Sequence, residues 1–242
     1  MTANLYEYLA GNEYPGRGIC VSLTPGGKAM IAYFIMGRSV NSRNRVFDPI
    51  NGGIRIKAAD PSKMTDPHLI IYNPVLTFDK TTIVTNGDQT NTIYDFMSRN
   101  DFPGYGFEAA LATRTFEDDG PNWTPRISGV VDMKLGGYKL NILKSDNGNE
   151  KSVQRFTFDY PQPLAGEGHF ISTYKCNGTP IPSFAGEPLS VSMDENDPDK
   201  YAAKLWKALN EDNKVSLFVR AIDLATQTYK DVIINKYKTV EG

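Results

Sequence analysis

Three arginines lie close together in residues 37–45, which read Gly-Arg-Ser-Val-Asn-Ser-Arg-Asn-Arg and directly follow an apolar segment. A guanidinium presents a planar fork of donors that fits a phosphate or a carboxylate, and serine or asparagine side chains can bond the remaining oxygens. This composition predicts an anion-binding loop. Taken alone, the segment is equally compatible with a solvated turn that carries scattered charge.

Two further segments place polar groups beside predicted strands, and each has a structural alternative. Residues 14–18 put Arg17 between two glycines, a pattern that permits close approach of a ligand to the backbone but is more often a plain turn. Tyr72 and Asn73 precede Pro74 within an otherwise apolar segment. This interruption predicts a bulge that points side chains out of the sheet, or a purely structural irregularity.

Another two segments also place polar groups beside predicted strands and also have a structural alternative. Residues 85–90, which include Asn86, form a strand-to-helix turn whose free N–H groups could bind an anion, although Asp88 opposes this and is predicted to cap the helix. Residues 116–126 contain a run of three carboxylates and end on Arg126 at the start of a predicted strand. An acidic run of this kind is usually a solvated loop.

Composition excludes several classes of function. The chain has 242 residues and a net charge of −2, so no basic field predicts binding to nucleic acid. The longest apolar run, Ala29–Met36, is too short to cross a membrane, and the first fifteen residues do not have the pattern of a signal peptide. Cys20 and Cys176 both lie in apolar, strand-like contexts, which favours free thiols and a cytoplasmic location.

The sequence contains no recognisable motif for a catalytic nucleophile, a metal site or a cofactor. The sequence contains no G-x-S-x-G elbow, no phosphate-binding P-loop and no G-x-G-x-x-G before a helix. His68 and His169 have no partner at metal-ligand spacing, so neither a metal nor a cofactor is expected. Any catalysis would therefore depend on Tyr, Glu and Arg side chains rather than on a nucleophilic triad.

Period-two and continuous apolar segments predict a chain that is rich in strands. Two strands, 17–23 and 28–36, flank the turn residues 24–27 and predict a hairpin. A second pair is predicted at 68–78 and 81–85. Six more strands are predicted at 127–133, 138–143, 153–160, 170–174, 215–222 and 229–234.

Helices are fewer. Apolar spacing predicts helices at 88–99 and 107–115, and a third that starts with Asp197 as N-cap and Pro198 at its first position. Many antiparallel strands with a few amphipathic helices predict an α+β layered sandwich. The glycine- and proline-rich stretches 159–168 and 177–188 are interpreted as loops within one domain that spans residues 1–242.

Six of these segments, in this order, resemble the archaeal-type inosine monophosphate (IMP) cyclohydrolase family. The segments are 14–18, 38–45, 66–73, 85–93, 124–127 and 172–174. The resemblance implies a four-layer αββα sandwich of mostly antiparallel sheets, similar to the N-terminal-nucleophile hydrolases but without their processed nucleophile. It also implies the last step of purine synthesis, in which 5-formamidoimidazole-4-carboxamide ribonucleotide loses water to give IMP. A purine nucleotide would then be the small-molecule substrate, and the assembly a homo-oligomer such as a tetramer.

By the same resemblance, Tyr72 and Glu117 correspond to the family's active-site tyrosine and glutamate and would form an acid/base pair. Asp118 competes with Glu117 for that position. Because an ordinary tyrosine hydroxyl has a pKa of ~10, Tyr72 could act near neutral pH only if nearby arginines lowered its pKa.

The remaining assignments concern the substrate. The resemblance implies that Arg38 and Arg45 bind the phosphate or orient the carbonyl groups of the substrate. Arg43 is left with a structural or solvent-facing role. The residues expected to complete the substrate-binding pocket are Arg17, Asn73, Asn86 and Arg126.

Two alternatives to the cyclohydrolase stay open at this point. A protein with the same fold could keep the arginines and bind purine nucleotides without closing the ring. An amide hydrolase of the N-terminal-nucleophile type is also conceivable if cleavage of the chain exposed Cys20.

Overall fold

Two antiparallel sheets and a few helices make up the chain. The computed structural model describes residues 2–64, 71–99 and 106–239. The strands are β1 (Arg17–Leu23), β2 (Ala29–Met36), β3 (Val46–Ile50), β4 (Gly53–Lys57), β5 (Val75–Phe78), β6 (Thr81–Thr85), β7 (Arg126–Asp132), β8 (Tyr138–Asp146), β9 (Asn149–Tyr160), β10 (Glu167–Ser172), β11 (Leu189–Ser192), β12 (Lys214–Asp223) and β13 (Thr228–Asn235).

These strands form one sheet of six and one of seven. The first has the order β11-β10-β1-β2-β12-β13, and the second has the order β3-β4-β5-β6-β7-β8-β9. All the strand pairs in both sheets are antiparallel among the described residues. The predicted α+β class with mostly antiparallel sheets is therefore confirmed.

The β1–β2 hairpin predicted around residues 24–27 is confirmed. Its register pairs Arg17 with Ile35 and Leu23 with Ala29. Every residue of β2 is buried, because this strand is central in its sheet and covered on both faces. A continuous apolar run is the expected signature of such a strand, which explains why the sequence does not alternate there.

Five α-helices and one short 3₁₀ helix, Pro61–Lys63, lie in the described residues. The helices are α1 (Leu5–Ala10), α2 (Val40–Arg43), α3 (Gln89–Arg99), α4 (Gly106–Leu111) and α5 (Pro198–Ala208). The prediction for α5 is confirmed, since the Asp197 side chain accepts a hydrogen bond from the backbone N–H of Asp199. No described helix has the length and apolar character needed to span a membrane.

Several sequence-based expectations differ from the structure. Helices α1 and α2 and strands β3, β4 and β11 were not predicted, and the predicted strand 68–78 begins in residues that lie outside the described ones. The carboxylate of Asp88 does not act as the expected cap but pairs with Arg114 and Arg126 at 2.6 and 2.7 Å. Neither cysteine forms a disulfide, but Cys176 is exposed in a loop instead of lying in an apolar strand.

Apolar side chains form three clusters that follow the layers of structure. The largest joins the facing sides of the two sheets, with Ile19 and Ile31 on one side and Ile127 and Leu140 on the other. A second cluster packs α1 and α5 on the outer face of the six-stranded sheet. A third packs α3 and α4 on the outer face of the seven-stranded sheet. Both sheets are thus covered on each face, which holds the strand ends near β1 and β2 in fixed positions.

A fully buried arginine links the two sheets away from these strand ends. Arg220 on β12 forms a two-point ion pair with Asp231 on β13, with Nε–Oδ1 and Nη2–Oδ2 distances of 2.7 and 2.8 Å. Its Nη1 donates to the hydroxyl of Thr77 at 2.5 Å, across the gap to the other sheet. The Tyr229 ring lies 3.7 Å from the guanidinium carbon.

We expect the substitution Arg220→Met to lower the free energy of unfolding by about 3 kcal/mol, because it removes the charge-assisted hydrogen bonds that the buried guanidinium makes to Asp231 and Thr77. Urea unfolding followed by circular dichroism measures the change. The control is Arg55→Met, since Arg55 pairs with Asp48 on the surface, and an exposed pair contributes about 1 kcal/mol or less. An equal decrease in the free energy of unfolding in the two variants would contradict the larger contribution expected of Arg220.

Candidate functional site

A pocket of about 320 Å³ lies beside the Arg17 end of the β1–β2 hairpin. Its wall combines the start of β1, the end of β2, the segment around α2, and the loops near residues 117–122 and 174–181. The charged and aromatic residues of the wall are Tyr14, Arg17, Arg38, Arg45, Glu117, Asp119 and Tyr174. Three guanidiniums thus face two carboxylates, so the pocket is suited to an anion.

Arg17 and Glu117 form the inner ion pair of the pocket. The Arg17 Nη2 and Glu117 Oε2 atoms are 3.5 Å apart, and both side chains are largely buried. The backbone of Glu117 is fixed by a hydrogen bond from its N–H to the Thr124 carbonyl at 2.9 Å. Among the described residues the Nε of Arg17 is buried and has no hydrogen-bond partner. A donor of this kind is costly to bury unless a ligand accepts from it.

The glycine that precedes Arg17 is required by packing within the protein. Gly16 has a φ of +78°, and a Cβ atom there would overlap the side chains of Thr173 and Tyr174. The backbone N–H of Arg17 donates to the Thr173 hydroxyl at 3.1 Å. This glycine therefore serves a tight turn against Thr173 and Tyr174, which agrees with the plain-turn alternative and not with close approach of a ligand.

Arg45 is held by main-chain carbonyls. Its Nε donates to the carbonyl of Ser42 at 2.7 Å, and its Nη2 donates to that of Met36 at 3.2 Å. The remaining nitrogen, Nη1, is buried and has no partner among the described residues. Burial lowers the pKa of Arg45, and the neighbouring charge of Arg17 lowers it further. The guanidiniums of Arg17 and Arg45 therefore repel each other, and a bound anion would reduce this repulsion.

Arg38 lies at the exposed rim of the pocket. Its Nη1 donates to the side-chain oxygen of Asn177 at 2.5 Å and to the carbonyl of Gly178 at 3.1 Å. The guanidinium carbon is 5.0 Å from the centre of the Tyr14 ring. Because Arg38 is exposed and its hydrogen-bond partners belong to a surface loop, Arg38 can exchange them for a ligand.

The third arginine of the loop has a structural role, as expected. The Nε of Arg43 donates to the carbonyl of Gly37 at 2.9 Å, and its Nη2 donates to the Asn213 side chain at 3.2 Å. Arg43 is not part of the pocket wall. It instead ties α2 back to the end of β2.

Tyr72 is not part of the pocket wall. It lies in the apolar layer between the sheets with only 7% of its surface exposed, close enough to Arg17, Arg45 and Glu117 for their charges to act on it. Its hydroxyl is 2.9 Å from the hydroxyl of Tyr33. Burial raises the pKa of Tyr72, and the charges of Arg17 and Arg45 act in the opposite direction without overcoming burial. The condition set from the sequence, a Tyr72 pKa lowered below its ordinary value by arginines, is therefore not met. At neutral pH Tyr72 carries its proton, so it is a donor.

The buried carboxylate next to the arginines also holds its proton more strongly than usual. Burial raises the pKa of Glu117 above its ordinary value of 4.5, although Arg17 and Arg126 lower it. Its neighbour Asp118 is exposed and is absent from the pocket wall. Of the two competing carboxylates, the structure thus brings only Glu117 next to the arginines.

Asn86 and Arg126 lie behind the pocket wall. The Asn86 amide nitrogen is 3.4 Å from Glu117 Oε1, while its oxygen accepts from the N–H of Ile127 at 2.7 Å. Arg126 pairs with Asp88 and donates to the Gln89 side chain at 2.8 Å. Asn86 contacts Glu117, and Arg126 acts on it electrostatically. Neither residue is part of the pocket wall, although both were expected to line the pocket.

The other expected residues are placed as follows. Asn73 is partly buried and is absent from the pocket wall. Asp66 and Pro67, part of a matched segment, lie outside the described residues. Cys20 is buried under α5, and burial raises the pKa of its thiol to about 12. A protonated thiol in that cluster is not placed to act as a nucleophile in this pocket.

Sequence reasoning gave no role to several residues that build the site. Tyr14 and Tyr174 stack with ring centres 5.8 Å apart, and the Tyr174 hydroxyl is 2.5 Å from that of Thr124. Both tyrosines belong to segments that carried the family resemblance, and this was the available signal. Tyr33 lies in a purely apolar run, so only the structure reveals its position below the pocket.

We expect the Glu117 carboxyl to titrate above its ordinary pKa, and Arg17→Gln to move the titration to still higher pH, because the lost cation favoured the carboxylate. Carbon-13 NMR of labelled glutamate side chains, with Glu117→Gln for assignment, follows this change. The control is Arg55→Gln, because Arg55 is not among the charges that act on Glu117. A titration that stayed in place or moved to lower pH in Arg17→Gln would contradict the assigned pairing.

The chain is similar to known proteins over most of its length. The family of IMP cyclohydrolase-like proteins matches residues 14–227. The chain is 28% identical over 164 residues to an IMP cyclohydrolase of Methanococcus aeolicus, covering 67% of this chain and 75% of that protein. It is 25% identical over 185 residues to an IMP cyclohydrolase of Methanopyrus kandleri, covering 76% and 84%. The matched region includes the arginine loop, Tyr72 and Glu117, and the chain belongs to the family of IMP cyclohydrolase-like proteins.

Proposed function

We propose that this protein is an IMP cyclohydrolase that closes the purine ring of 5-formamidoimidazole-4-carboxamide ribonucleotide. The observation that carries the proposal is the pocket that combines Arg17, Arg45 and Glu117, whose charges act on the nearby Tyr72, in a chain of this family. Relatives from two methanogens bear the name IMP cyclohydrolase and align with most of their length.

The reaction needs a base and an acid but no redox step. The carboxamide nitrogen forms a bond to the formyl carbon, and the formyl oxygen leaves as water. That water takes one proton from the carboxamide N–H and one from the formamido N–H. A group must therefore accept a proton from nitrogen, and another must give one to the departing oxygen.

Glu117 and Tyr72 fit these two tasks in the proposed mechanism. A carboxylate whose pKa is raised is a stronger base than an ordinary glutamate, so Glu117 accepts the carboxamide proton in its ionised form. Tyr72, which keeps its proton at neutral pH, donates to the oxygen that leaves. The unpartnered donors on Arg17 and Arg45 would stabilise negative charge that develops on that oxygen.

The 5′-phosphate is assigned to the rim of the pocket. Arg38 is exposed there, and the serines at 39 and 42 border the same wall. A guanidinium with hydroxyl groups beside it provides the charge-assisted bonds that a phosphate needs. In the bound state Arg38 would exchange Asn177 and Gly178 for phosphate oxygens.

The finer description of the fold belongs to the same proposal. We propose one domain with a four-layer αββα sandwich of the kind found in N-terminal-nucleophile hydrolases. The three apolar clusters support it, because they place helices outside each of two facing sheets. A homo-oligomeric assembly stays a prediction, which sedimentation of the purified protein can test.

We expect purified protein to convert the formamido ribonucleotide to IMP, followed by the absorbance of the product. Tyr72→Phe and Glu117→Gln should each lower kcat by ~10²-fold or more, since each removes a proton-transfer group. Tyr94→Phe on α3 and Asp118→Asn beside Glu117 are matched controls and should retain activity. Tight IMP binding without turnover in the unmodified protein would overturn the catalytic proposal in favour of a nucleotide-binding protein.

Binding of the product tests the phosphate assignment separately. We expect Arg38→Gln to raise the Kd for IMP by about tenfold or more, because a charge-assisted bond to phosphate is lost. Isothermal titration calorimetry measures it, and inosine, which lacks the phosphate, should bind both forms equally. Arg99→Gln, an exposed arginine on α3, is the control. An unchanged Kd in Arg38→Gln would move the phosphate away from the rim.

A further inference from the structure

Two buried phenols share one hydrogen bond below the pocket. The hydroxyl oxygens of Tyr33 and Tyr72 are 2.9 Å apart, and neither ring is more than 7% exposed. Each phenol has one proton, so the bond between them can be made in only one direction at a time. The direction decides which proton remains available to the pocket.

The surroundings of Tyr33 favour one direction. Tyr33 lies on the central strand β2 with no exposed surface, among the apolar side chains between the sheets. Tyr72 is the one hydrogen-bond partner of its hydroxyl within the described residues. If Tyr72 donated, the Tyr33 proton would point into this apolar layer without an acceptor, which is costly. If Tyr33 donates, the fully buried hydroxyl has its acceptor, and the remaining proton belongs to Tyr72, which keeps 7% of its surface exposed.

The surroundings of Tyr72 agree with that direction. The positive charges of Arg17 and Arg45 act on both hydroxyls. For Tyr72 they are the largest effects after burial, whereas for Tyr33 the interaction with Tyr72 comes first. Guanidiniums are donors without acceptor atoms, so the Tyr72 oxygen is better suited to accept from Tyr33 than to give its proton away. Glu117, the carboxylate of the same pocket, lies close enough to act on Tyr72 electrostatically.

The position of the Tyr33 ring is fixed independently of this bond. The ring stacks on Phe47 with centres 5.6 Å apart and an angle of 22° between the planes. The backbone N–H and carbonyl of Phe47 are both bonded to the Asn235 side chain, at 2.9 and 3.0 Å. Removal of the Tyr33 hydroxyl should therefore leave the ring in place.

We propose that Tyr33 is a positioning residue whose hydroxyl donates to Tyr72, so that the Tyr72 proton is directed to the pocket. The bond also supports a phenolate on Tyr72 after that proton has left, because a donor to the charged form lowers the pKa. The effect on turnover rests on the proposed function, whereas the support of the Tyr72 phenolate by Tyr33 does not.

The test uses a titration that does not depend on activity. 3,5-Difluorotyrosine, whose phenol is more acidic than that of tyrosine, is incorporated at position 72 and followed by fluorine NMR. In Tyr33→Phe the titration at position 72 should move to higher pH, because the donor to the phenolate is lost. The matched control is Tyr138→Phe, which removes a buried hydroxyl bonded to His169 at 2.7 Å in the same layer and should leave the titration in place.

The two outcomes separate the proposals. An unchanged titration in Tyr33→Phe, or an equal movement in Tyr138→Phe, overturns the role of Tyr33 whatever the enzyme does. If the unmodified protein closes the ring, Tyr33→Phe should lower kcat by about tenfold with KM little changed, the size expected for one hydrogen bond. If the unmodified protein lacks turnover, only the proposed function fails, and the titration still decides whether Tyr33 supports the phenolate of Tyr72.

Discussion

The burial of Arg17 and Arg45 beside one another is the constraint on which the rest of the site depends. Two cations removed from water repel each other, and among the described residues the carboxylate of Glu117 pairs with Arg17, at 3.5 Å, and not with Arg45. The protein tolerates this arrangement because main-chain carbonyls hold Arg45 and because the sheets fix both strand ends. The positive charge that remains at Arg45 favours an anion in the pocket.

The same constraint explains how strongly Tyr72 and Glu117 hold their protons. Burial in the layer between the sheets raises the pKa of Tyr72 and of Glu117, while the cations limit the rise in both. Without the cations the two groups would be too reluctant to lose a proton, and without burial they would be ordinary surface groups. The balance between these opposing effects depends on distances that only the folded chain defines.

Much of the fold and part of the site could be predicted from the sequence, and the exceptions have physical reasons. The β1–β2 hairpin was predictable because turn residues separate two apolar runs. Strand β3 was not, since it contains Pro49 and a charge, which a strand tolerates at the edge of a sheet. Neighbouring residues of an extended segment point in opposite directions, so Glu117 and Asp118 could not be told apart. Arg126 was misplaced because its partner Asp88 comes from a distant part of the chain.

The way Arg45 is held has a consequence for how this site changes over evolution. Its two anchoring acceptors, on Met36 and Ser42, are backbone oxygens, which every amino acid provides. Substitutions at either position can therefore alter the side chain and still leave the guanidinium where it is. A binding group supported in this way can persist while its neighbours drift, which is the pattern expected of relatives that share only a quarter to a third of their residues.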